Sequence, residues 1–128
     1  MTENPVTARL EHIKITVSDP DRTARFLTRL CGWHERWRGP SAQGGWTIHL
    51  GADIDYIALY QRDTPLSGPF SKGQPLNHIG LLVDDLDAAE RVVIEAGLEP
   101  FNHGDYEPGR RFYVFDWDGI EWELVSYS

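Results

Sequence analysis

The alternation of apolar and polar residues repeats in the two halves of the chain. Residues 12–19 read His-Ile-Lys-Ile-Thr-Val-Ser-Asp, and residues 78–85 read His-Ile-Gly-Leu-Leu-Val-Asp-Asp. Both fit the pattern His-Ile-x-aliphatic-x-Val-x-Asp, with an offset of 66 residues from position 12 to position 78. Apolar side chains at every second position are typical of a β-strand with one buried face. The pattern therefore predicts a duplicated unit that opens with this strand.

A helical pattern follows each copy of the strand. Asp19 is the expected N-cap of the first helix, and Asp84 or Asp85 that of the second. Gly32 and Gly97 mark the expected ends, because glycine readily adopts the left-handed conformation of a C-cap. The buried faces are predicted from apolar residues spaced i, i+1, i+4 and i+5: Phe26, Leu27, Leu30 and Cys31 in the first helix, and Ala88, Ala89, Val92, Val93 and Ala96 in the second.

Each half then carries three further strand candidates rich in aromatic and β-branched residues. They are residues 33–38, 45–50 and 56–61 in the first half, and 98–103, 111–116 and 121–126 in the second. The chain thus reads as one α+β domain of two βαβββ modules that pair around a metal-binding cleft. We place module one at about residues 8–61, a loop rich in proline and glycine at 62–75, and module two at about 76–127.

Three side chains that can bind metal fall on the predicted cleft faces. In the opening strands the aliphatic positions pack under the helix, so His12 and His78 point into the cleft. In the last strand Glu123 lies on the face opposite its apolar neighbours, and Glu121 shares that face as an alternative. Two histidines and one carboxylate form a facial triad that suits Fe(II), Mn(II) or Zn(II) and leaves positions open for substrate. We therefore predict a mononuclear divalent metal site.

Further side chains are candidates for proton transfer and substrate binding. His49 is an acid or base candidate if it faces the cleft, and a hairpin-end histidine otherwise. Tyr60 and Tyr113 can donate a phenol proton, or simply pack at the rim. Lys14 shares the face of His12, and Arg111 follows a turn, so each is a candidate to meet an anionic group of a small-molecule substrate.

Composition excludes several classes of partner. The 128 residues include 12 Lys and Arg against 20 Asp and Glu, a net charge of −8, which disfavours nucleic acid and anionic membranes. No apolar run is long enough to span a membrane, and the N-terminal residues do not resemble a signal peptide. Cys31 is the only cysteine, which fits a reducing cytoplasm, and we expect it to be a core residue rather than a nucleophile.

The duplicated strand and the segment Tyr-Val-Phe-Asp-Trp-Asp-Gly-Ile-Glu-Trp-Glu-Leu at 113–124 resemble the vicinal oxygen chelate superfamily. This group includes glyoxalase I, fosfomycin and bleomycin resistance proteins, and extradiol dioxygenases. The resemblance extends from residue 10 to residue 127. Its terminal motif, Asp-Pro-Asp-Gly followed by three residues and a ligand Glu, is matched by Asp116, Asp118 and Gly119, with Trp117 in place of proline. Counting from this motif selects Glu123 rather than Glu121.

The resemblance implies a metal that chelates two neighbouring substrate oxygens, and a homodimer. Glyoxalase-type lyases in this family use a fourth protein ligand, and Zn(II) or Ni(II) is the ion expected for them. The corresponding position here is Ile57 or Ala58, so no fourth ligand is evident. Fosfomycin-modifying enzymes usually carry a basic tail after the ligand Glu, and residues 124–128 contain no arginine. The favoured function is metal-dependent chemistry of the dioxygenase or lyase type. The alternative is a small-molecule binding or resistance protein without turnover.

Overall fold

The computed structural model of the chain describes residues 6–42, 44–107 and 109–127. Strands and helices follow one another in the order expected of two βαβββ modules. Their bounds are β1 (His12–Thr16), α1 (Pro20–Cys31), β2 (His34–Pro40), β3 (Trp46–Gly51), β4 (Tyr56–Gln61), β5 (Ile79–Leu82), α2 (Leu86–Glu95), β6 (Phe101–Tyr106), β7 (Gly109–Phe115) and β8 (Glu121–Ser126). Neither of these helices is long and apolar enough to cross a membrane.

The strands form two four-stranded sheets of the same topology. One has the order β1-β4-β3-β2 and the other β5-β8-β7-β6. In each sheet the first strand pairs in parallel with the last strand of its module, and the remaining pairs are antiparallel. The predicted α+β fold of two repeated modules is therefore confirmed.

One strand lies further along the chain than the sequence pattern predicts. The expected strand at 98–103 is observed as β6, which begins at Phe101. Leu98 is held at the end of α2, because its N–H donates to the carbonyl of Val93 at 3.1 Å. The strand then contains an irregularity between Phe101 and Gly104, where Asn102 has φ of 56°. A bulge of this kind breaks the alternation from which strand bounds are read.

Both N-caps and the C-cap of α1 at Gly32 follow the prediction, whereas α2 has its C-cap at Ala96, one residue before the predicted Gly97. The carboxylate of Asp19 accepts from the N–H of Arg22 at 3.2 Å, and that of Asp85 accepts from Ala88 at 3.0 Å. Of the two candidates for the second N-cap, Asp85 is the one observed. Gly32 and Gly97 have φ of 67° and 84°, a conformation that a side chain would strain.

The core is one continuous cluster that joins both modules. The side chains of Leu27, Val93, Phe112, Trp122 and Leu124 are fully buried in it. The helices also meet directly, since Arg29 of α1 pairs with Glu95 of α2 at 3.0 Å. Burial of one face of each sheet under its helix leaves the other face for polar chemistry. Burial raises the pKa of the Cys31 thiol to about 12, so this cysteine is protonated.

The turn between β7 and β8 is organised by one buried carboxylate. Asp116 Oδ1 accepts from the backbone N–H groups of Asp118 and Ile120 at 2.9 and 3.0 Å, and Oδ2 accepts from Trp122 Nε1 at 3.0 Å. Burial raises the pKa of Asp116, and these three donors partly offset that rise. The carboxylate therefore fixes the turn that leads into the strand carrying Glu123.

The same turn holds the two modules together. The backbone N–H of Ser18 donates to Asp118 Oδ1 at 3.0 Å. Trp117 packs edge-on against Phe26 with ring centroids 5.5 Å apart, and Arg22 lies over the tryptophan ring at 4.5 Å. Tryptophan at the position of the motif proline thus attaches the turn to α1.

Replacing Asp116 by Asn should destabilise the protein, because an amide can accept the two backbone N–H bonds but cannot also accept from Trp122. The expected loss in the free energy of unfolding is about 1–3 kcal/mol, the usual cost of leaving a buried donor unpaired. Urea denaturation followed by tryptophan fluorescence measures it. The matched control is Asp53→Asn, at an exposed position, which should leave the midpoint unchanged. Equal stability of the two variants would show that the turn does not depend on this carboxylate.

Candidate metal centre

His78 and Glu123 meet on the face of the module-two sheet that lies opposite the buried core residues. His78 immediately precedes β5, and the parallel pairing of β5 with β8 sets Gly80 opposite Glu123. His78 Nε2 lies 3.0 Å from Glu123 Oε1. Its other nitrogen, Nδ1, lies 2.7 Å from the side-chain oxygen of Asn77. The structure therefore brings together two of the three predicted ligands.

The carboxylate of Glu123 is bound on its other side by an arginine. Arg111 Nη1 donates to Glu123 Oε2 at 2.9 Å, and both side chains are only 12% exposed. Arg111 Nη2 donates to the carbonyl of Gly109, and the guanidinium lies over the ring of Tyr106 at 4.7 Å. Arg111 is thus oriented by protein groups, and an anionic substrate would have to compete with Glu123 for it.

Glu121, the alternative carboxylate, is committed to a different partner. Its side chain is 2% exposed, and Oε1 pairs with Lys72 Nζ at 2.7 Å. Its Oε2 lies 3.8 Å from His78 Nδ1, the nitrogen that faces away from Glu123. Glu123 is likewise paired with a cation, Arg111, so what distinguishes the two glutamates is that Glu123 Oε1 lies 3.0 Å from His78 Nε2, whereas Glu121 approaches Nδ1. This arrangement favours Glu123 over Glu121, as the motif spacing does.

His12 lies on the corresponding face of module one. Its Nδ1 is 2.7 Å from Glu11 Oε1, and its ring stacks on Tyr56 with centroids 4.9 Å apart and planes 9° apart. Within residues 6–42, 44–107 and 109–127, no three His, Cys, Asp or Glu side chains form a group that could hold a metal ion. The described part of one chain thus joins His78 to Glu123 but does not add His12 to them. Ligation by these three residues stays a prediction.

The candidate proton-transfer and binding residues of module one lie on the face of His12. His49 stacks on Tyr56 with centroids 4.6 Å apart, beyond which lies His12. Burial lowers the pKa of His49, and the nearby positive charges of His12 and other basic groups lower it further. Lys14 Nζ lies 4.3 Å above the ring of Tyr60, whose hydroxyl donates to the carbonyl of Gly44 at 2.8 Å.

Tyr113 lies beside the candidate ligands of module two. It pairs with Glu123 across β7 and β8, and its ring packs edge-on against His78 with centroids 5.7 Å apart. Burial raises the pKa of the Tyr113 phenol, and the charge of Glu123 raises it further. The phenol therefore keeps its proton at neutral pH and points toward the same face as the candidate metal ligands.

The strand register identifies the residue of module one that corresponds to Glu123, where a fourth ligand would lie. Gly80 pairs with Glu123 in module two, and the repeat-equivalent Lys14 pairs with Ala58 in module one. Ala58, rather than Ile57, is therefore the counterpart of Glu123. Its methyl side chain cannot bind metal, so this position supplies no fourth ligand.

The residues of module two fit a divalent metal by their chemistry and spacing. Nε2 of His78 and Oε1 of Glu123 lie 3.0 Å apart, close enough for one ion to take both as ligands. The imidazole nitrogen and carboxylate oxygen are donors that Fe(II), Mn(II) and Zn(II) all accept.

Sequence reasoning missed three side chains that shape this site. Glu11 and Asn77 could have been found, since each directly precedes a repeated histidine. The role of Lys72 could not be predicted, because this residue lies in an irregular segment whose path the sequence pattern does not determine. Its contact with Glu121 exists only in the folded chain.

The sequence of residues 9–124 matches the family model described as the glyoxalase/bleomycin resistance protein/dioxygenase superfamily. The chain belongs to this superfamily. The expected family relationship is therefore confirmed. Comparison of the sequence with curated proteins finds no match.

Solved structures of other superfamily members share the fold. A glyoxylase/bleomycin resistance protein/dioxygenase domain from Frankia sp. EAN1pec has a TM-score of 0.80 at 23% identity, over 94% of this chain and 98% of that one. The fosfomycin resistance protein FosX from Mesorhizobium loti has a TM-score of 0.71 at 22% identity, over 94% and 92%. A mutant of FosX from Listeria monocytogenes, complexed with Mn(II) and 1S,2S-dihydroxypropylphosphonic acid, has a TM-score of 0.74 at 19% identity, over 94% and 93%.

Removing the ammonium group of Lys72 should leave the buried carboxylate of Glu121 without its partner. We expect Lys72→Met to lower the free energy of unfolding by about 1–3 kcal/mol, the usual cost of leaving a buried polar group without its partner. The same substitution made in a Glu121→Gln background should cost much less. Urea denaturation of the two single variants and the double variant measures this difference. Additive effects of the two substitutions would show that the pair does not couple.

Proposed function

We propose that the chain is a metal-dependent enzyme that acts on a small substrate with two adjacent oxygens. The metal ligands would be His12, His78 and Glu123. The observation that carries this proposal is the pairing of His78 Nε2 with Glu123 Oε1 at 3.0 Å on a cleft face. His12, the repeat equivalent of His78, supplies the third donor. The three are a facial set that leaves coordination positions for a substrate.

The surroundings of the proposed site support chemistry on a bound substrate. A metal ion held there would act as a Lewis acid on the two substrate oxygens. His49, with its lowered pKa, is neutral at pH 7 and can accept a proton. Tyr113 keeps its phenol proton and can donate it near His78. Lys14 and Arg111 would favour an anionic substrate. Arg111 would then release Glu123 and bind the anionic group of the substrate instead.

Space for the substrate is provided by Gly80. This residue lies opposite Glu123, and a Cβ added to it would meet no atom within 4 Å. The equivalent position in module one carries the long side chain of Lys14.

The FosX complex with Mn(II) holds a molecule with adjacent hydroxyls, which is consistent with chelation of two oxygens in this fold. A reaction of the dioxygenase or lyase type follows from this proposal, with Fe(II), Mn(II), Zn(II) or Ni(II) as the ion.

The site requires a second copy of the chain in this proposal. A single chain, in its described part, does not bring His12 to His78 and Glu123. The cleft faces also expose large apolar side chains, among them Leu82 at 65%, Phe115 at 41% and Trp37 at 48%. Pairing of two copies across these faces would bury these side chains. In a symmetric homodimer, module one of one copy would face module two of the other and close two equivalent sites.

Replacing His78 or Glu123 by Ala should abolish stoichiometric metal binding while the protein stays folded, because each change removes a first ligand. Metal content per chain is measured by inductively coupled plasma mass spectrometry on protein purified without a histidine tag. Glu121→Gln and His103→Ala are the controls, since Glu121 pairs with Lys72 and His103 pairs with Glu90 at 2.9 Å. Both should keep the metal.

The identity of the ion directs the assay of activity. Iron or manganese would direct it to catechols and O₂ uptake, and zinc or nickel to glutathione adducts and epimerisation. Loss of metal in Glu121→Gln would show that the wrong glutamate was chosen. A wild-type protein that holds no metal and cannot be loaded would overturn the enzyme proposal in favour of small-molecule binding without turnover.

Mixing the variants His12→Ala and Glu123→Ala should restore metal binding that neither has alone. In a mixed dimer one site would combine an intact module one with an intact module two. Random pairing then restores roughly one quarter of the wild-type metal content. Coexpression of the two variants, followed by metal analysis and light scattering, measures this. A dimer without restored metal, or a monomer that binds one ion per chain, would contradict the shared site.

A further inference from the structure

Both histidines of the repeat are held in the same way by the residue that precedes them. His12 Nδ1 lies 2.7 Å from Glu11 Oε1, and His78 Nδ1 lies 2.7 Å from Asn77 Oδ1. Glu11 and Asn77 are separated by the same 66 residues as the two histidines. A single exposed contact between chain neighbours would carry little meaning. Its recurrence at equivalent positions of two modules with different side chains points to a shared role.

The contact determines which nitrogen of each ring is free. A neutral imidazole has one N–H donor and one acceptor nitrogen. A carboxylate oxygen only accepts, so Glu11 requires the proton of His12 to be on Nδ1. The lone pair of His12 is then on Nε2. The amide oxygen of Asn77 accepts from Nδ1 of His78 in the same way, whereas Nε2 of His78 faces a second acceptor, Glu123 Oε1, so a metal ion bound between them would take the place of the Nε2 proton.

Each ring is also held against an aromatic side chain. His12 stacks on Tyr56 with planes 9° apart, and His78 packs edge-on against Tyr113 at 86°. The ring contact limits rotation of the imidazole, and the bond to Nδ1 sets which edge points outward. Two such constraints together fix both the direction and the protonation of the free nitrogen.

We infer that Glu11 and Asn77 are positioning residues that present Nε2 of His12 and His78 to the metal, an inference that rests on the proposed function. The two residues differ in charge. A carboxylate bonded to Nδ1–H makes the imidazole a stronger electron donor than a neutral amide does. Glu11 therefore strengthens the lone ligand of module one, whereas His78 already shares its module with the charged ligand Glu123.

The first test needs no metal. Nitrogen-15 NMR of labelled histidine distinguishes the two neutral forms of an imidazole, and it is recorded on the metal-free protein at alkaline pH. We expect His12 to carry its proton on Nδ1 in the wild type and in Glu11→Gln, whose amide oxygen can still accept. In Glu11→Leu the Nε2-protonated form should gain population. A wild-type His12 protonated on Nε2, or no change in Glu11→Leu, would overturn the inference.

The second test measures affinity by competition with a chromophoric chelator for Zn(II) or Mn(II). We expect Glu11→Leu and Asn77→Leu to weaken binding by about 10–100-fold, as for other partners of ligand histidines. Asn77→Asp keeps an acceptor and should stay close to the wild type, whereas Glu11→Gln keeps the acceptor without its charge and should weaken binding less than Glu11→Leu does. All four variants should unfold at the same urea concentration, because the substituted side chains are exposed.

The two tests separate the inference from the proposed function. Wild-type affinity in both leucine variants would overturn the positioning role while leaving the metal site intact. A wild-type protein that binds neither ion would overturn the proposed function, and the NMR result on His12 would then show whether Glu11 selects the ring form without a metal.

Discussion

The parallel pairing of β5 with β8 is the constraint on which the candidate site depends. It sets Gly80 opposite Glu123 and so places Glu123 beside the histidine that precedes β5. Because side chains alternate between faces, a shift by one residue would move Glu123 into the core and Trp122 into the cleft. Trp122 is fully buried and Phe112 and Leu124 pack with it, so hydrophobic burial on one face holds the register of the polar groups on the other.

The duplication provides two equivalent positions, and substitutions have made the modules unequal. Module two has Glu123 where module one has Ala58, and module one has Lys14 where module two has Gly80. One module therefore carries a nitrogen and an oxygen donor with space beside them, and the other carries His12 and His49 among aromatic and basic side chains. Such a division is consistent with a site assembled from two unlike halves, as we propose, rather than with two separate metal sites.

Acidic groups on the face of His78 are held by basic partners. Glu123 accepts a hydrogen bond from Arg111 at 2.9 Å, and Glu121 forms an ion pair with Lys72 at 2.7 Å. Two carboxylates on one strand face would otherwise repel each other in a partly buried environment. Because both are paired with a cation, their position at His78 is what distinguishes two glutamates that the strand alternation treats alike: Glu123 Oε1 lies 3.0 Å from Nε2, and Glu121 Oε2 lies 3.8 Å from Nδ1.

The sequence by itself determined the repeat, the helices with their caps at Asp19 and Gly32, and the superfamily, because these depend on local periodicity, turn chemistry and a motif of fixed spacing. It also placed His78 and Glu123 on one face, since alternation along a strand is a local property. Only the tertiary structure decided that Ala58 is the counterpart of Glu123, that Lys72 neutralises Glu121, and that the described part of one chain leaves His12 apart from the other two candidates. These depend on strand register, on the path of an irregular loop and on module packing, which are set by contacts between residues far apart in the chain.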